Sequence, residues 1–229
     1  MFPIRDTIRS RNKPIVNWCI IATNAFVFMF EASLPPDGLN RLIHLFGLTP
    51  TFFVRNPIFE SLTIFTSMFL HGGWFHLISN MWMLWIFGDN IEDRMGHFRY
   101  LGFYLLCGVT AGLAQVFITT HSSVPMVGAS GAIAGISGAY LLLFPRARVV
   151  TLVPIFFFFT FLEIPALIYL GFWFLSQLFS GLSVLAVGGR FGSHGGVAWW
   201  AHIGGFVAGL ILVKLFARQR LYRDEYRPW

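Results

Sequence analysis

Charge is scarce in this chain. Asp, Glu, Lys and Arg make up 11% of its 229 residues, where a soluble domain carries roughly 25%. With 56% hydrophobic residues and a mean hydropathy of +0.67, the shortage excludes a water-soluble globule and implies one compact bundle in a membrane. Cysteine is nearly missing too. Cys19 and Cys107 both fall inside apolar runs, which reads as two buried free thiols and excludes a disulfide scaffold. No long acidic, Ser-rich or Gln-rich stretch suggests a disordered tail, and no internal repeat suggests a solenoid. The formal charge of +6 would suit nucleic acid. The basic residues, however, sit at the termini and in short loops between apolar runs, which fits orientation in a membrane and not a nucleic-acid groove.

A helix of about 20 apolar residues crosses a bilayer. On that ruler the sequence offers six spans, approximately Pro14–Phe30, Trp74–Phe87, Phe98–Thr119, Ala129–Phe144, Ile164–Leu185 and Trp199–Phe216. The second and fourth are short, as expected of helices shielded by protein. The first follows a basic start but lacks a small-residue cleavage site, so it reads as a retained span and not a signal peptide. Leu39 to Leu70, interrupted by Pro50 and Pro57, reads as a structured loop at the interface. Val149 to Phe161 is either the first half of a long tilted helix or an interfacial piece. With the N-terminus inside, 13 of the 16 basic residues fall on the cytoplasmic side and only Arg41, Arg55 and Arg190 outside. Both termini are therefore expected in the cytoplasm.

Spans two, four and six then start at the outer face, and their first residues lie at one depth. Ser130 opens span four within Gly128-Ala129-Ser130-Gly131. A buried hydroxyl with no structural task marks function in a membrane. His76 and Asn80 share a face of span two, being four residues apart, and His202 opens span six. Each lies within roughly 10 Å of its span's outer end at 1.5 Å per residue. Small residues let membrane helices approach closely. Ser130, Ala134 and Gly138 form one such stripe, His202, Gly205 and Gly209 another, and Gly131 clears space beside the serine. A serine hydroxyl needs an adjacent base, and histidine titrates nearest neutral pH. His202 is therefore the expected base, and Asn80 and His76 the expected donors to an oxyanion. No carboxylate was found among the outer-end residues, so a dyad is expected and not a triad.

Other readings are weaker. His71, His121 and His194 also fall near the outer face, yet no His-Glu-x-x-His, carboxylate or Cys cluster supports a metal or haem. His121 and His194 read as loop residues. Glu92 and Arg94 follow span two on the inner side, too far from Ser130 for catalysis, and read as a structural lock of that loop. Phe156 to Phe159 reads as lipid-facing or interfacial bulk, and Trp199 and Trp200 as an interfacial belt.

Four motifs appear in order: His71-Gly72-Gly73-Trp74-x-His76-x-x-x-Asn80, Gly88-x-x-x-Glu92-x-Arg94-x-Gly96, Gly128-Ala129-Ser130-Gly131, and Ala201-His202-x-x-Gly205-x-x-x-Gly209. Together they resemble the rhomboid family of intramembrane serine proteases, in its six-span bacterial type. The resemblance implies an all-α polytopic bundle over 14–217, flanked by cytoplasmic segments 1–13 and 218–229. It implies a water-filled site open to the outer face, with Ser130 as nucleophile, His202 as base and acid, and His76 and Asn80 at the oxyanion. It also implies span five as a lateral gate, the first loop in the outer leaflet, and the bacterial cytoplasmic membrane as location. Transmembrane proteins are the implied substrates and lipid the surroundings, with no cofactor, metal or nucleic acid. The oligomeric state stays open. Two departures stand out. No Trp-Arg pair occurs between Glu31 and Leu70, and Ala134 stands where some members carry an aromatic that stacks on the histidine. His202 must then be held in another way. A catalytically silent binder of membrane proteins is the alternative. A transporter fits less well, because the polar residues cluster at one end.

Overall fold

The structure is a computed structural model that describes residues 2–155, 158–186 and 196–218. His194, Arg190 and residues 219–229 of the expected tail lie outside the described residues. In chain order a strand β1 (Phe2–Asp6) precedes helix α1 (Ile15–Ser33). Four short helices follow: α2 (Pro36–Phe46), α3 (Pro50–Arg55), α4 (Pro57–Glu60) and α5 (Thr63–Thr66), then a 3-10 turn, Ser67–Phe69. Next come α6 (Trp74–Met95), α7 (His97–Ile118) and α8 (Ser130–Leu143). Strands β2 (Arg148–Ile155) and β3 (Phe158–Pro165) lead into α9 (Ala166–Ala186) and α10 (Trp199–Phe216).

The six long apolar segments are all helical. Four of them, α1, α7, α9 and α10, are long and apolar enough to cross a membrane. The other two differ for physical reasons. α6 carries Asp89, Glu92, Asp93 and Arg94 in its last two turns. α8 has 14 residues, fewer than a bilayer needs, but an unbroken run from Gly131 to Tyr140 is buried. Protein and not lipid surrounds it: α10, α7 and α6 pack around it, α10 most extensively. The core lies among these helices, with Phe87, Tyr100, Phe103, Tyr104 and Tyr140 fully enclosed and Phe87 edge-on to Tyr140 at 4.9 Å.

In the first loop, proline opens three of the four short helices, at Pro36, Pro50 and Pro57. Its fixed φ and missing N–H suit the first helical position. The same residues that interrupt the apolar pattern therefore start new helices.

The mostly helical fold also holds a three-stranded antiparallel sheet in the order β1-β2-β3. This removes one of the two readings of Val149 to Phe161, the first half of a helix. Val149, Val150, Thr151 and Val153 are β-branched, and Pro154 lacks the N–H a helix interior requires, so the run pairs as a hairpin, Arg148 opposite Pro165 through Ile155 opposite Phe158. The first residues join the same sheet. Phe2 pairs with Leu152 and Asp6 with Val149, and the Trp82 indole N–H donates to the Pro3 carbonyl at 2.7 Å. Phe158 and Phe159, from the aromatic run, are exposed.

Glu92 fastens the end of the bundle at which α1 begins. Pro14, preceding α1, gives no side-chain cap, and the Glu92 carboxylate accepts from the Val16 and Asn17 backbone N–H groups at 3.0 and 2.7 Å instead. Unpaired N–H groups at a helix start favour a negative partner. His97 Nδ1 lies 2.5 Å from the same carboxylate, and the Tyr100 hydroxyl donates to Asn17 Oδ1 at 2.7 Å. A Cβ at Gly88 would collide with both Asn17 and Tyr100. Arg94 lies over the Phe144 ring at 5.9 Å, and Gly96, at φ +82°, makes the corner between α6 and α7.

Asp6 at the end of β1 is held by the Tyr140 hydroxyl and by the Asn90 amide at 2.8 Å. Burial pushes its carboxyl up to about 7, with Asp89 adding to the rise and Tyr140 and Arg5 opposing it. An unfolded Asp titrates near 3.9. Because the folded value is the higher one, the folded state holds the extra proton between these values. That contribution is full below pH ~4 and is lost as pH rises through about 7. The melting temperature in detergent is expected to fall between pH 5 and pH 8, and Asp6→Asn should flatten that dependence. An unchanged slope in the variant would remove Asp6 as its source.

Candidate active site

Ser130 is the first residue of α8 and His202 lies in the first turn of α10. The two helices meet on glycine. A Cβ at Gly205 would overlap the Gly131 carbonyl oxygen, one at Gly209 that of Gly135, and one at Gly138 that of Phe206. Backbone against backbone is the closest approach helices make. The carbonyls of Gly131 and Gly135 on α8 thus meet Gly205 and Gly209 of α10, while a Cβ at Gly131 or Gly135 would meet Ala111 or Cys107 of α7. Ala134 is buried.

This approach brings His202 Nε2 to 2.8 Å from Ser130 Oγ. Ser130 is half-buried, so its hydroxyl is reachable, while His202 is buried. With Ala134 in place of an aromatic, α9 and α10 supply the rings around the histidine. Trp173 lies 5.8 Å from it, tilted by 35°, and Trp199 meets it edge-on at 6.3 Å. Trp199 is thus more than part of an interfacial belt. The other ring nitrogen, Nδ1, lies 2.7 Å from Gln177 Oε1 on α9.

His76 and Asn80 come to the same place from α6. Gly128, at φ +123°, lies flat against them: a Cβ there would fall 2.7 Å from His76 Nε2 and 3.7 Å from Asn80 Nδ2. Only glycine suits both that backbone and that space. The Gly72 N–H faces His76 Nδ1 at 3.3 Å. An accepting Nδ1 puts the ring proton on Nε2, which points toward Gly128. Asn80 Nδ2 is buried and has no hydrogen-bond partner among the described residues. Two donors thus converge next to the first turn of α8, whose own N–H groups add to the positive end of the helix.

The remaining histidines divide. His121 is an exposed turn residue after α7. His71 is fully enclosed, and its backbone N–H donates to the Glu31 carboxylate at 3.1 Å. Glu31, at the end of α1 and 1% exposed, is a carboxylate at the same end of the bundle that the sequence does not single out. It serves His71, and among the described residues the ring partners of His202 are Ser130 and Gln177. Among the described residues no three His, Cys, Asp or Glu side chains gather as a metal site would require.

Gln177 was also missed. A lone amide in an apolar helix was the available signal, since polar side chains in spans are expensive. Gln115 is a smaller case: its carbonyl accepts from the Ala201 N–H at 3.2 Å and so holds the start of α10.

The rhomboid domain family matches residues 59–219, a stretch that includes Ser130, His202, His76 and Asn80. Among similar proteins, the mitochondrial presenilin-associated rhomboid-like protein of Rattus norvegicus is 31% identical over 144 residues, 61% of this chain and 36% of its own. Rhomboid-like protein 11, chloroplastic, of Arabidopsis thaliana is 41% identical over 71 residues, 31% of this chain and 25% of its own. Mitochondrial rhomboid protein 1 of Saccharomyces cerevisiae is 27% identical over 103 residues, 43% and 30% of the two chains. The chain spans about a third of the length of these relatives or less. With apolar helices enclosing the matched stretch, this is an integral membrane protein that belongs to the rhomboid family.

Proposed function

We propose that the chain is an intramembrane serine endopeptidase that cleaves transmembrane proteins near the outer face. One observation carries the reading: the 2.8 Å hydrogen bond between Ser130 Oγ and His202 Nε2, with the unpartnered Asn80 amide beside it. Ser130 attacks the scissile carbonyl while its proton passes to His202 Nε2. The negative oxygen of the tetrahedral intermediate meets Asn80, His76 and the first N–H groups of α8. His202 then gives its proton to the leaving amine, and a water, activated by the same ring, releases the acyl group. Backbone carbonyls of a helical substrate are already bonded. The scissile segment must therefore unwind, which favours small or helix-breaking residues near the outer boundary. The excess of basic residues on one side of the spans is the argument for both termini in the cytoplasm, and residues 14–217 are taken as the protease domain. Glu92 and Arg94 act in this reading as the lock of the inner loop.

The test is cleavage of a single-span substrate by the purified chain in proteoliposomes. Asn80→Ala is expected to slow turnover by about 10²–10³-fold, the cost of one oxyanion donor. A wild-type rate would reduce Asn80 to a packing residue, and no cleavage by the wild type of any such substrate would remove the protease reading.

A further inference from the structure

We infer that Gln177 is a positioning residue that sets the tautomer of His202. The inference rests on the serine–histidine reading above and adds a third member to it, an amide where other serine hydrolases use a carboxylate.

One consistent hydrogen-bond order runs along a chain of three groups. The Ser176 hydroxyl donates to the Trp173 carbonyl at 2.6 Å. A hydroxyl has one proton, so toward Gln177 Ser176 only accepts. Gln177 Nε2 donates to it at 3.0 Å. That contact fixes which way the amide faces: nitrogen to Ser176, oxygen to His202. Gln177 Oε1 has no proton, so His202 Nδ1, 2.7 Å away, must be the donor. A neutral ring carries one N–H, and its Nε2 then presents a lone pair to Ser130 at 2.8 Å. This is the only neutral tautomer that can accept the serine proton. A flipped amide would place the ring proton on Nε2 and leave no base.

The surroundings offer no substitute. Gln177 is 7% exposed, so bulk water does not compete for Nδ1. The rings beside His202, Trp173 and Trp199, restrain its plane without accepting from Nδ1. The other titratable group acting on the imidazole is His76 on α6, and it carries no carboxylate. Gln177 comes from α9, the least buried of the four long apolar helices. The tautomer of the base therefore depends on α9 being seated against α8 and α10.

Gln177→Leu keeps the bulk and removes the acceptor. It is expected to lower kcat by about 10–10²-fold with KM within twofold, less than the ~10⁴ lost when a buried carboxylate acceptor is replaced and the wrong tautomer is favoured. In ¹⁵N NMR of histidine-labelled protein, His202 should move from the Nδ1–H form toward a mixture. Gln177→Glu keeps an acceptor of equal length. It should retain turnover within tenfold and move the acid limb of kcat/KM to higher pH, because a carboxylate facing Nδ1 favours the imidazolium. This variant carries the test alone if the leucine variant does not fold, as judged by its melting in detergent. Wild-type turnover and tautomer in Gln177→Leu, or an unchanged acid limb in Gln177→Glu, overturns the inference. Ser130→Ala run in parallel separates the two levels. If it still cleaves, the protease reading itself fails; if it is inactive while the Gln177 variants match wild type, only the role of Gln177 fails.

Discussion

Ser130→Ala is expected to reduce cleavage of a single-span substrate to the detection limit while the protein stays folded. Loss of the nucleophile in a serine protease costs on the order of 10⁶ in kcat, and loss of its base costs about as much. The fold should not notice. Ser130 is half-buried at a helix start, and the packing of α8 rests on glycine backbone instead. The double variant Ser130→Ala/His202→Ala should be no slower than either single one, because residues that act as a unit lose their effect together. A further drop in the double variant would mean that the two act separately. A residual rate above the uncatalysed background would mean that another nucleophile is at work.

Gly205→Val is expected to lower both turnover and stability, through geometry alone. His202 and Gly205 are three residues apart on α10, on one face, and a Cβ at 205 would overlap the carbonyl oxygen of Gly131. That oxygen belongs to the residue after the nucleophile and is backbone, so it cannot rotate away. The start of α8 must then move away from α10. A misplacement of about 1 Å at a reacting pair costs on the order of 10²-fold, and overpacking a tight contact typically costs about 1–3 kcal/mol of stability. Turnover is expected to fall by 10²-fold or more with a lower melting temperature, and Gly205→Ala should lie between. Gly171→Ala is the control, because a Cβ there has nothing within 4 Å. Equal activity in the three variants would contradict the close approach of α8 and α10.

What the sequence made legible follows from how each group signals itself. Ser130, His202, His76 and Asn80 stand out because polar side chains in apolar runs are expensive and because all four begin spans that start on one side. The packing of α7 on α8 did not stand out. A Cβ at Gly131 or Gly135 would meet Ala111 or Cys107 of α7, and periodicity alone does not say which neighbour covers a small face. Gln177 was passed over for a different reason. The other site residues lie at the starts of spans two, four and six, whereas α9 reaches the histidine from its middle. Glu31 lay just beyond the expected end of span one, and α1 runs to Ser33. The sheet hid because its strands are apolar near a membrane, where hydropathy reads helix and strand alike. β1 in addition needs a partner almost 150 residues away, opposite Leu152, and local pattern carries no such information. The way His202 is held despite Ala134 emerged only from the packing of Trp173, Trp199 and Gln177 around it.

The most direct measurement is fluorophosphonate labelling of the detergent-solubilised chain, followed by mass spectrometry of the modified peptide. A single phosphonyl adduct on Ser130 is predicted, formed more slowly in His202→Ala and missing in Ser130→Ala. An adduct on another residue, or an unlabelled wild type, would contradict the claim that Ser130 and His202 form a nucleophile and its base.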